Sequence, residues 1–126
     1  MSTIRSDDQP AGRDLRAVSV ASETGTLRSV VIGQPDTFVL PRPINIKQQR
    51  FTEDNPESPT RETLRPEFAA FKEALETHGV TVHQPIAVPG VPDQLTPRDI
   101  GFVVEETFVI CSMATECRRE EWRGLT

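Results

Sequence analysis

Two cysteines, Cys111 and Cys117, are all that the 126 residues hold. That is too few for a disulfide scaffold, and no CxxC or other metal-type spacing is present. Long apolar runs are missing as well, so no segment has the length of a membrane span. The first 20 residues, MSTIRSDDQPAGRDLRAVSV, mix both charge signs and lack the apolar centre of a secretory signal. A basic run is absent and the formal net charge is -5, which argues against nucleic acid and anionic membranes as partners. A cytoplasmic protein is the expectation. Hydrophobic residues make up only 36% of the chain, while prolines number 11, so extended loop is expected beside one modest core.

Order should begin after a polar tail over residues 1–24. LRSVVIGQP (Leu27 to Pro35) is a short apolar run closed by Gly33 and Pro35, a strand followed by a turn. Asp36 to Arg65 has no sustained periodicity and reads as a long loop. PEFAAFKEALETHG is the strongest helix, with Pro66 suited to a first turn and Gly79 suited to the position past the end. Leu64, Phe68, Phe71, Leu75 and His78 share one helical face. VTVHQP then predicts a strand, which makes an αβ unit. IGFVV and TFVIC predict a hairpin about Glu105 and Glu106, although Glu-Glu is poor chemistry for a two-residue turn. MATECRREEWRGLT reads as the start of a helix.

The candidate chemistry is sparse. Asp99 stands where loop becomes strand, and a carboxylate there can take two parallel N–H donors from a planar guanidinium. The plainer alternative is pairing with a nearby arginine. Arg118 follows 19 residues later and is suited to the far, carboxylate end of an amino-acid ligand, or to a solvated face beside Glu120 and Glu121. His78 near a helix end and His83 on a strand lack an acidic neighbour in sequence and are not read as bases. Cys111 reads as a small buried hydrophobe. Cys117, beside Arg118 and Arg119, is a weak nucleophile candidate. Trp122 is expected in the core.

QLTPRDIGFVVEETFVICSM followed by CRREEWRGL resembles the amidinotransferase and arginine-hydrolase superfamily, with support from SETGTLRSVVIGQP and FKEALETHGVTVHQP. The shared pattern is a carboxylate, a two-strand hairpin, a methionine and Arg-x-x-Glu, here Arg98-Asp99, the hairpin, Met113, and Arg118 with Glu121. Glycine amidinotransferase is similar in the PRD start and the Asp-to-Arg spacing; dimethylargininase is similar in the EET turn of Glu105, Glu106 and Thr107. The resemblance implies an α/β propeller of the pentein type, present over residues 25–126 as a first module and the start of a second. It implies that Asp99 binds a substrate guanidinium and Arg118 the substrate carboxylate, with Arg98 as a neighbour and Glu121 as a structural partner. The substrate implied is arginine or a related guanidino compound, with no metal or organic cofactor; homo-oligomerisation is left open.

The superfamily's chemistry runs through a cysteine thiolate that attacks the guanidinium carbon and a histidine that moves protons. Neither matches a residue here, so the expectation is an N-terminal fragment, inactive alone, of an enzyme that transfers the amidino group of arginine to an amine. The alternatives are a fragment of an arginine or dimethylarginine hydrolase, and a non-catalytic α/β binding module.

Overall fold

A computed structural model describes residues 20–125, apart from 23, 41–45, 48, 50–54 and 56. Two small sheets organise it. Strand β1 (Ser29–Val31) leads through the chain to helix α1 (Arg61–Thr77) and then to β2 (Thr81–His83), which lies parallel to β1 with Ser29 opposite Thr81 and Val31 opposite His83. Strands β3 (Gly101–Val104) and β4 (Thr107–Ile110) form an antiparallel hairpin, with Phe102 opposite Val109. Three 3-10 turns cover Pro97–Asp99, Glu116–Arg118 and Glu121–Leu125. The architecture is mixed α/β, as expected.

Helix α1 begins at Arg61, inside the stretch expected to be loop, and not at Pro66. The signal is Thr60. Its hydroxyl accepts from the Thr63 N–H at 3.2 Å, and the Thr63 hydroxyl accepts from the Thr60 N–H at 2.9 Å. This is a capping box with threonine where glutamate or glutamine is usual. Pro66 therefore sits inside the helix and removes one backbone donor. Gly79, with φ of 78°, supplies the left-handed residue that turns the chain out of α1 toward β2. Of the predicted apolar face, Leu64 is buried, Phe68 and Leu75 are half-buried, and Phe71 and His78 are exposed.

The buried apolar residues are Ile32, Phe38, Leu64, Val80, Val91 and Ile100. They come from the segment after β1, from α1, from the approach to β2, and from the connection between β2 and β3. Three glutamines tie that connection down. Gln34 donates to the Pro85 carbonyl and Gln84 to the Gly33 carbonyl, each at 3.1 Å. Gln94 is buried; its amide donates to the Ile86 carbonyl at 3.1 Å and its oxygen accepts from the Val88 N–H at 2.8 Å. These side chains satisfy backbone groups that no sheet ladder reaches. The opening of the expected loop is held too. Phe38 is buried, the Val39 N–H donates to the Pro92 carbonyl, and Asp36 pairs with Arg65 at 2.8 Å. Its middle falls largely outside the described residues.

The hairpin turn is made by Glu105 in a left-handed conformation, φ of 52°. Glu105 exchanges both backbone hydrogen bonds with Val20, at 3.0 and 3.2 Å. That bridge offsets unfavourable turn chemistry and anchors one residue on the tail side of the boundary expected near residue 24. Downstream, the expected helix is absent; two 3-10 turns stand in its place. Burial of Glu121 and Gly124 fixes the chain at two points three residues apart, and Thr115 supplies no side-chain cap at the first turn. Trp122, expected in the core, is half-buried, with the Arg123 guanidinium 5.9 Å from its ring centre. No helix among the described residues is long and apolar enough to cross a membrane.

Gly33 marks the closest backbone approach. A Cβ placed there would overlap the Leu95 carbonyl oxygen, whereas one at Gly25 would meet only the Ser22 side chain at 3.5 Å. Gly33→Ala is expected to destabilise the chain by about 1–3 kcal/mol in urea unfolding, and Gly25→Ala by under about 0.5 kcal/mol. Equal effects would contradict the close approach of Gly33 to Leu95.

Candidate functional site

Asp99 closes the 3-10 turn that Pro97 opens, directly before β3. Arg118 closes the turn after β4. The hairpin between them returns the chain to its starting point, and the Cys111 N–H donates to the Ile100 carbonyl at 2.9 Å to seal its open end. Fold topology thus brings residues 19 apart into direct contact. Arg118 Nη1 donates to Asp99 Oδ2 at 2.9 Å.

Arg118 is engaged on every nitrogen. Its Nε donates to Glu121 Oε1 and its Nη2 to Glu121 Oε2 at 3.0 Å, a two-pronged pairing. Nη2 also donates to the Thr96 hydroxyl at 2.9 Å and, more weakly, to the Thr96 carbonyl at 3.3 Å. Asp93 Oδ2 lies 3.9 Å from Nε. The Glu121 side chain is 1% exposed, that of Arg118 13% and that of Asp99 42%. The cluster therefore grades from a buried carboxylate, through a nearly buried guanidinium, to a carboxylate open to solvent.

Its electrostatics follow from that gradient. Hydrogen bonds from Arg118 and Thr96 hold the Asp99 carboxyl below its ordinary value. Pairing with Glu121 pushes the Arg118 guanidinium up, with Asp99 adding to the effect against the cost of burial. Burial pushes the Glu121 carboxyl up while the Arg118 fork pulls it back. Counting Asp93, Asp99 and Glu121 against one arginine, the cluster carries more negative than positive charge, and its open side is Asp99.

Arg98 does not join this network closely. Its side chain is 91% exposed, with Nε 4.0 Å from Asp99 Oδ1. His78 donates from Nδ1 to the Ala74 carbonyl at 2.8 Å, a helix-end contact, and His83 Nε2 meets the Ser29 hydroxyl at 3.0 Å. Cys111 and Cys117 are both free thiols, each half-buried. Among the described residues, no group of three or more His, Cys, Asp or Glu is arranged to hold a metal ion. Thr96 and Asp93 are the members of the cluster that sequence reading missed. Thr96 could have been found, since it begins the turn that Asp99 ends; nothing local marks Asp93.

The family model of eukaryotic N,N dimethylarginine dimethylhydrolase matches residues 34–125, which includes every member of the cluster. The chain belongs to this family. It is also similar to the uncharacterized protein YkgA of Bacillus subtilis (strain 168), 33% identical over 100 residues that make up 79% of this chain and 34% of that protein. The chain thus spans about a third of this relative's length. No solved structure matches it.

Because Asp99 is depressed, its contribution to stability is present above the unfolded-state value of 3.8 and is lost as pH falls through the lower folded value. The stability difference between the wild type and Asp99→Asn in urea unfolding should therefore hold above the unfolded-state value of 3.8 and close as pH falls below it. A difference that does not change with pH would show that Asp99 gains nothing from Arg118.

Proposed function

We propose that this chain carries the guanidinium-binding part of a hydrolase acting on arginine or a methylated arginine. Asp99 is the residue that receives the guanidinium. The observation that carries the reading is an exposed carboxylate, held ionised by Arg118 and Thr96, within the stretch that matches the dimethylarginine hydrolase family. An ionised carboxylate at a strand mouth attracts a cation, and its Oδ1, which Arg118 does not take, can accept a charge-assisted hydrogen bond from a guanidinium N–H.

The other site residues take graded roles. Arg118, in contact with Asp99 and Glu121, supports this reading as the partner that fixes the charge and orientation of Asp99. Binding of a substrate carboxylate falls to the N–H of Nη1 that Asp99 does not take. Arg98, exposed beside Asp99, is a second contact for the anionic end of an amino-acid ligand. The two small sheets correspond, on this reading, to the first module of a pentein propeller and the start of the second. The thiolate and histidine steps of the family's chemistry are assigned to no residue of this chain.

Transfer of an amidino group to an amine is the second reading, favoured by the PRD start and the 19-residue spacing from Asp99 to Arg118. The family match favours hydrolysis.

Titration of the chain with arginine and with dimethylarginine, followed by NMR of Asp99 and its neighbours, tests the site. Asp99→Asn should weaken binding roughly tenfold or more, the worth of a charge-assisted hydrogen bond. Binding that is indifferent to this change would remove Asp99 from the site. For the protein that contains this chain, citrulline formed without an acceptor marks hydrolysis, and a new guanidino product marks transfer.

A further inference from the structure

Two carboxylates contend for one guanidinium in this cluster. An arginine left alone with a carboxylate prefers to grip both of its oxygens with two N–H donors. Arg118 does so with Glu121, through Nε and Nη2, and not with Asp99, to which it gives Nη1 alone. The asymmetry has a physical origin. Glu121 is almost without solvent contact, where a charge pair is less screened, while Asp99 is open to water. The backbone reinforces it, because Arg118 and Glu121 lie three residues apart at the junction of two consecutive turns.

We propose that Glu121 is a positioning residue: by holding the Nε and Nη2 side of Arg118 it limits that guanidinium to Asp99 Oδ2 and leaves Asp99 Oδ1 for a ligand guanidinium. This rests on the reading of Asp99 as the guanidinium acceptor. Glu121 itself touches no ligand. Without it, Arg118 has no buried partner to hold its plane, and it turns to take both oxygens of Asp99. The protein's own arginine then occupies the position meant for the substrate. Thr96 restricts the same rotation less strongly, through one hydroxyl and one long carbonyl contact on Nη2.

The test compares the wild type, Glu121→Gln, Arg118→Met and the double variant. Two quantities are read: the titration of the Asp99 carboxyl by NMR, and the affinity for methylguanidinium. In Glu121→Gln the Asp99 carboxyl should titrate lower than in the wild type, because Arg118 now grips it with two donors. Methylguanidinium should bind roughly tenfold more weakly. In Arg118→Met the Asp99 carboxyl should return toward its ordinary value, and adding Glu121→Gln there should leave it unshifted. An upward move of Asp99 in folded Glu121→Gln, the opposite direction, would overturn the proposal. So would an equal downward shift in the Arg118→Met background, which would mean that Glu121 acts on Asp99 directly. Should Glu121→Gln fail to fold, Glu121→Asp keeps the charge but withdraws it by one methylene, and should lower the Asp99 titration to a smaller degree; no shift there would equally overturn the proposal. If the series shows the predicted Asp99 shifts but the wild type does not bind methylguanidinium, the guanidinium reading fails and the orienting role of Glu121 stands.

Discussion

The pairing of Arg118 with the buried Glu121 is the constraint from which the arrangement of the site follows. A carboxylate 1% exposed is tolerated only with its charge matched and its oxygens bonded. Arg118 provides both, and in doing so it is itself held 13% exposed. The pair is therefore less a source of net stability than a rule about geometry. Removing one partner of a buried pair typically costs about 3–5 kcal/mol, whereas replacing both with apolar groups is often neutral. What the pair fixes is the position of the guanidinium, and with it the turn from Thr96 to Asp99 and the two turns that end the described chain.

The remainder of the fold presents that turn at the right place. Close approach of Gly33 to Leu95 brings the end of β1 against the start of the Thr96–Asp99 turn. Gln94, one residue before Leu95, is pinned by the Ile86 and Val88 backbone. Among the described residues the buried apolar side chains form a small core, and polar side-chain ties to backbone help define this region. The hairpin then closes the loop between Asp99 and Arg118. A rigid approach, a short ribbon and a buried pair together hold one exposed carboxylate in a set orientation.

Elements with strong local signals were legible in the sequence. The β1 run, the body of α1, β2 after Gly79 and the two strands of the hairpin all lie where their patterns placed them. The start of α1 was misplaced because Pro66 is as acceptable in a first turn as its sequence context suggested, while the Thr60–Thr63 capping box lacks the usual acidic residue. The final helix was misread because RREEWRG has good helical composition, and its burial of Glu121 and Gly124 is a tertiary demand that composition does not carry. Likewise, Asp99 and Arg118 were found as individual candidates, yet their direct contact depends on the return path of the hairpin. They stand 19 residues apart in the sequence, and the structure has them touching. Gln94 and Asp93 carried no local mark, since a glutamine or aspartate in a turn-rich segment is ordinary until its partners are known.

The most direct measurement of the central constraint is the side-chain nitrogen spectrum of Arg118 in the intact chain near neutral pH. A guanidinium pinned by Glu121, Thr96 and Asp99 should show an Nε–H in slow exchange with solvent and separate signals for Nη1 and Nη2, because rotation about the Nε–Cζ bond is blocked. A single averaged Nη signal with rapid exchange at Nε would mean that Arg118 is free, and would contradict the account of how Asp99 is held.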